Sequence, residues 1–97
     1  MKLDKSMELF KKALKLMPAG VSSNARLWQT AQFCPTFMPC TIFAKKANGP
    51  YIWDVDGNKY IDYRLGFGPV ILGHSYPAVV KAIHQREKDG SVFAFDN

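Results

Sequence analysis

Gly49-Pro50-Tyr51-Ile52-Trp53-Asp54-Val55-Asp56-Gly57-Asn58-Lys59-Tyr60-Ile61-Asp62-Tyr63 is the stretch whose reading decides the fold. β-Branched and aromatic residues fill both arms, which suits a pleated, half-buried surface. Asp56-Gly57 between them supplies the positive-φ position of a tight hairpin turn. Tyr51–Val55 and Lys59–Tyr63 are therefore predicted strands, and Thr41–Lys46, ahead of an Asn48-Gly49 turn, is a third. Together they make an antiparallel meander over 42–63. Three short strands with one apolar face are stable only when something packs on that face.

Two helices flank the meander. On the C-terminal side the chain is punctuated by Gly66, Gly68 and Gly73. Ser75 is then placed to cap a helix over about Tyr76–Asp89, with Pro77 in the first turn, where a missing N–H does no harm. Val79, Val80 and Ile83 supply its buried face and Gly90 ends it. On the N-terminal side the spacing predicts a helix over 5–17. Leu3, Met7, Phe10, Leu14 and Met17 recur at steps of four and three and share a face. Asp4 is placed to cap it and Pro18 stops it. Between helix and meander, 18–41 has no regular period, and Pro35 and Pro39 keep it irregular. So long an irregular stretch marks a functional loop or a piece packed on another body. Residues 91–97 end on an apolar run that reads as an interrupted strand or loop, so the chain is expected to be a piece of something larger.

Composition narrows the function classes. With 47% hydrophobic and 22% charged residues the chain is globular in type. Burial of roughly 60–65% of the unfolded chain's surface leaves a domain of this size a thin stability margin. No apolar run approaches the roughly 20 residues of a membrane span. The N-terminus lacks the apolar block of a signal peptide, and a cytoplasmic location is the expectation. The net charge of +5 comes mainly from dispersed lysines, with Lys5, Lys11, Lys12 and Lys15 on the face of the first helix opposite its apolar stripe. With no nucleic-acid-binding motif beside it, this charge reads as a solvated surface. Cys34 and Cys40 have neither a disulfide framework nor metal-ligand spacing around them, so no metal site is expected.

Three motifs carry a resemblance. Ala19-Gly20-Val21-Ser22-Ser23-Asn24-Ala25-Arg26 resembles the substrate-side loop of the glutamate-1-semialdehyde aminomutase branch of class III, pyridoxal-phosphate-dependent aminotransferases. The hairpin quoted above is similar to that of the class generally. Gly68-Pro69-Val70-Ile71-Leu72-Gly73-His74-Ser75-Tyr76-Pro77 looks like the segment that follows it in the same branch. The resemblance implies an α/β fold of the type I pyridoxal-phosphate transferases, of which 1–97 would be the N-terminal segment without the large cofactor-binding domain. It implies pyridoxal 5'-phosphate as cofactor, a small-molecule amino-acid substrate and a homodimer, with no nucleic-acid or membrane partner. The cofactor's Schiff-base lysine is expected beyond residue 97, so the isolated chain is expected to be inactive.

The resemblance also assigns site residues. Arg26 matches the arginine that grips the substrate carboxylate, a task suited to a planar guanidinium; otherwise it is a surface loop arginine. Ser23 matches a serine beside that site, or is a turn residue bonding its own backbone. Phe67 stands where the branch has a tryptophan over the substrate pocket, or belongs to ordinary core packing. No catalytic or cofactor-binding residue is assigned within the chain. Ala19 replaces a glycine of the resembling loop, and Asn24-Ala25 replaces Pro-Val; these departures bear on substrate rather than class. His74 reads as a helix-entry residue, with no Ser or carboxylate beside it suggesting a triad, and His84 as exposed or half-buried. Asp54, Asp56 and Asp62 read as exposed turn residues. The competing reading is a free-standing α+β binding module without chemistry.

Overall fold

The computed structural model describes residues 2–23, 26 and 42–92. Its elements are helix α1 (Asp4–Leu16), strands β1 (Ala44–Asn48), β2 (Tyr51–Asp54) and β3 (Lys59–Ile61), and helix α2 (Pro77–Arg86). The three strands form one sheet in the order β1-β2-β3, the meander expected from the hairpin pattern. Two compact units divide the chain: 1–46 with 52–60, and 47–51 with 61–97.

In the first unit, α1 buries Ser6, Phe10 and Ala13. Their spacing of four and three is the helical period, and Phe10 is buried as expected, but Ser6 and Ala13 take the flanking buried positions in place of Met7 and Leu14. Leu14, assigned to the buried face, is 51% exposed. The turn Pro18–Gly20 supplies the reason. It folds back on the helix so that a Cβ at Gly20 would stand 2.7 Å from the Phe10 ring and 3.3 Å from Leu14. Only backbone fits there, so Phe10 is covered closely while Leu14 keeps an open side. Met17, ahead of Pro18, is extended at φ −137°, as a pre-proline residue prefers. Asp4 does not cap the helix: Leu3 holds the cap position and makes no side-chain cap bond. Asp4 lies inside the first turn, where its charge suits the positive end of the helix dipole.

The hairpin turn between β2 and β3 is where the sequence placed it, with Gly57 at φ +92°, a conformation open to glycine and costly to residues with a Cβ. The strand limits differ. β1 runs on to Asn48, and Gly49 after it forms a separate antiparallel bridge to His74; Thr41 lies outside the described residues. β2 stops at Asp54, whose side chain turns inward to organise the turn. The Lys46 and Lys59 ammonium groups stand 4.8 and 5.5 Å from the centre of the Trp53 ring, shielding it through cation–π contact.

In the second unit, α2 begins at Pro77 and gives way to a 3-10 turn at Glu87–Asp89 before Gly90. Ser75 does not cap it: its hydroxyl donates to the Ala47 carbonyl at 3.2 Å, and Tyr76 occupies the cap position. The expected buried face of α2 is not buried either. Val79 and Ile83 are 44% and 56% exposed, because an amphipathic pattern states which face wants cover without supplying it. His84 is exposed, 3.1 Å from Glu87. Among the described residues no helix is long and apolar enough to cross a membrane.

Candidate functional site

The loop after α1 carries two of the three assigned residues. The Arg26 amide donates to the Ser23 carbonyl at 2.9 Å. The Arg26 guanidinium donates through Nη1 to the hydroxyl of Ser22. The side-chain partner is thus Ser22, one residue before the serine singled out from the sequence; with two adjacent serines, spacing alone does not choose between them. Arg26 and both serines are exposed. Among the described residues no carboxylate pairs with Arg26, so its outer edge retains donors for an anion. Asn24 and Ala25 lie outside the described residues.

Phe67 belongs to the second unit and is 56% exposed, which overturns core packing as its role in this chain. It ends a tight turn, Leu65–Phe67, in which Leu65 and Phe67 have φ of 51° and 67°. Left-handed conformation costs residues with a Cβ about 1–2 kcal/mol each, so something must hold the turn. Asp62 does. Its Oδ1 accepts the amides of Arg64 at 2.8 Å and Leu65 at 3.1 Å. Its Oδ2 lies 2.6 Å from His74 Nε2. The Arg64 guanidinium stands 5.6 Å from the centre of the Phe67 ring.

Two expectations fail here. His74 does have a carboxylate beside it, and Asp62 is not exposed: its side chain retains 10% exposure and that of His74 22%. Twelve residues and a glycine-rich turn separate the pair, beyond the reach of local sequence reading. The bond from His74, aided by the Leu65 and Arg64 amides, outweighs burial and holds the Asp62 carboxyl below the usual carboxylate range. A nucleophilic triad does not follow, since the neighbouring Ser75 hydroxyl is committed to Ala47.

Asp54 and Asp56 keep their turn chemistry but are not the free carboxylates expected. Asp54 is 1% exposed. It accepts the Asp56 and Asn58 amides at 3.0 and 2.8 Å, Asn58 Nδ2 at 2.7 Å and the Tyr60 hydroxyl at 2.8 Å. Burial pushes its pKa up, and these donors more than reverse that, leaving it below the usual value. Tyr60, half-buried and bonded to the Asp54 anion, is pushed up to about 12. Asp56 accepts from Lys5 and Ser6 at the start of α1. With every buried acceptor satisfied, both are structural.

None of the lysines is placed to form an imine with pyridoxal phosphate. All ten lysines are exposed, whereas an imine-forming lysine at neutral pH needs burial or a cationic neighbour to lose its proton. Among the described residues there is also no group of three His, Cys, Asp or Glu placed to hold a metal ion. An open, mainly apolar groove along α2 is lined by Val70, Leu72, Tyr76, Val79, Val80 and Ile83 among others, with His74 and Ser75 also on its wall.

Comparison with known proteins agrees with the resemblance. Residues 35–97 match the family described as Aminotransferase class-III. The glutamate-1-semialdehyde 2,1-aminomutase of Thermodesulfovibrio yellowstonii is 48% identical over 93 residues, which is 96% of this chain and 20% of that protein. A glutamate-1-semialdehyde aminomutase from Pseudomonas aeruginosa PAO1 superposes with a TM-score of 0.75 at 25% identity, covering 96% of this chain and 19% of its own. A transaminase with PLP bound gives 0.79 at 27% identity, covering 100% and 21%. These neighbours bear out the fold expected from the motifs: the helix and antiparallel meander are the N-terminal portion of the type I architecture. The chain spans 20% of the length of the curated relatives it matches. The hairpin, the Asp62–His74 turn and α2 all fall within the matched residues, and the chain belongs to the class III aminotransferase family.

Proposed function

We propose that residues 1–97 form the substrate-side, N-terminal segment of a pyridoxal-phosphate-dependent aminomutase, glutamate-1-semialdehyde 2,1-aminomutase or a close relative, working as a cytoplasmic homodimer. The observation that carries this reading is Arg26, an exposed guanidinium steadied by the Ser22 hydroxyl in a chain 48% identical over 93 residues to an aminomutase. A guanidinium held in this way meets a carboxylate with two parallel N–H···O bonds, giving both affinity and orientation. The Ser23 carbonyl holds the Arg26 amide, and the exposed Ser23 hydroxyl is available to the same anion. Phe67 offers an aromatic wall to the amino-acid substrate without the indole N–H of a tryptophan. Pyridoxal phosphate, when bound in the whole enzyme, acts as the electron sink for amino transfer. This segment supplies neither its lysine nor its phosphate cradle, so the isolated chain is inactive.

The test joins residues 1–97 to the remaining four-fifths of the Thermodesulfovibrio protein. Turnover of glutamate-1-semialdehyde by this chimera supports the reading. A chimera that loads pyridoxal phosphate and dimerises yet leaves that substrate untouched contradicts it. If in addition residues 1–97 alone unfold cooperatively as a monomer, the binding-module reading takes its place.

A further inference from the structure

We infer that His74 and Asp62 act together as a positioning device that fixes the turn carrying Phe67, and so sets the aromatic wall presented to the substrate. The inference rests on the reading of Phe67 given above. Its geometry begins at the backbone of His74, which exchanges two hydrogen bonds with Gly49, at 2.8 and 2.9 Å. Residue 74 is thereby anchored whatever its side chain. From that anchor Nε2 reaches Asp62 Oδ2 at 2.6 Å, and the other oxygen of the same carboxylate holds the amides of Arg64 and Leu65. The Asp62 backbone is itself tied, its amide donating to the Pro50 carbonyl at 2.8 Å.

The consequence follows from the turn's conformation. Leu65 and Phe67 are both left-handed, a state that residues with a Cβ leave unless their surroundings hold them. The carboxylate grips the turn at its entry, two residues before Phe67. Without the His74 bond, Asp62 is free to rotate away from both amides, the turn relaxes to negative φ, and the Phe67 ring swings off its present direction. Neither His74 nor Asp62 needs to touch the substrate. Their effect is on binding rather than on the chemical step, which predicts a change in KM with kcat retained.

The experiment uses the assembled chimera described above. His74→Phe keeps the ring volume and removes the donor; His74→Gln keeps an N–H donor at a similar reach. Hydrogen exchange is followed by mass spectrometry in peptides covering 62–68, with peptides covering 54–60 as internal control. In His74→Phe, exchange over 62–68 is expected to rise about tenfold and KM about tenfold with kcat within about twofold. His74→Gln is expected to restore both, which a purely volumetric role would not allow. Unchanged exchange over 62–68 in His74→Phe overturns the inference. So does a Phe67→Ala variant that raises KM when His74→Phe does not, an outcome that leaves the functional reading standing. If neither Phe67→Ala nor Arg26→Ala moves KM, the functional reading itself fails, and the inference with it.

Discussion

Asp56 Oδ2 accepts hydrogen bonds from both the amide and the hydroxyl of Ser6, at 2.9 and 2.7 Å, while its Oδ1 accepts the Lys5 amide at 2.8 Å. The first turn of α1 is therefore capped from a hairpin fifty residues downstream, a task usually given to the residue just before a helix. Ser6 is fully buried, so Ser6→Ala leaves a carboxylate oxygen short of one donor and is expected to cost about 1 kcal/mol. Asp56→Ala removes all three bonds and is expected to cost more and to fray α1. Denaturant titration followed by helical circular dichroism checks both; equal stability of Asp56→Ala and the parent would contradict the capping role.

Ala19 has φ +55°, at the position where the resembling loop carries glycine. A left-handed alanine is strained by about 1–2 kcal/mol, and glycine's extra freedom in the unfolded chain returns part of that. Ala19→Gly is expected to stabilise the chain by up to about 1 kcal/mol, read as a higher denaturation midpoint. A lower midpoint would show that the turn is held by something other than its backbone preference.

How far the sequence reached depends on the range of the interaction. The hairpin was legible because its signals, alternating apolar residues and Asp56-Gly57, act within a few positions. Both helices were legible by period and by Pro18, Pro77 and Gly90. The Ser6–Asp56, Asp62–His74 and Gly20–Phe10 contacts were not, since each joins residues whose pairing only the folded backbone decides. Asp54 misled for a related reason: an aspartate at a strand end suggests exposure, and its burial depends on Asn58 and Tyr60 both turning toward it. At the candidate site Arg26 was identified by motif, while its steadying partner Ser22 and the clamp behind Phe67 emerge only from geometry.

Acid is expected to destabilise the chain. Hydrogen bonding holds the carboxyls of Asp54, Asp56 and Asp62 below their usual range, against about 3.9 in an unfolded chain. The unfolded state then binds protons more readily, so their contribution is complete above about pH 4 and is lost as pH falls through the lower native values. Tyr60 works in the opposite sense. Pushed up to about 12 by burial and by Asp54, it contributes fully below about pH 10 and loses that contribution as pH rises toward 12. Ultraviolet titration should show a tyrosinate component near 12 that disappears in Tyr60→Phe. A plateau of stability down to pH 2, or no such component, would contradict these assignments.

With every lysine exposed, pyridoxal phosphate has no privileged partner among them. Incubation of the chain with the cofactor followed by borohydride reduction is expected to give sparse labelling spread over several lysines. Stoichiometric labelling of a single lysine would contradict this.

The most direct test of the account concerns Arg26 in the chimera with the Thermodesulfovibrio aminomutase. Loss of a charge-assisted pair with the substrate carboxylate is worth about 2–3 kcal/mol, so Arg26→Ala is expected to raise KM roughly 30- to 150-fold. Arg26→Lys should recover only part of this, because an ammonium cannot make the bidentate contact. A KM unchanged in Arg26→Ala, in an enzyme that still loads pyridoxal phosphate, would contradict the assignment of this loop to the substrate.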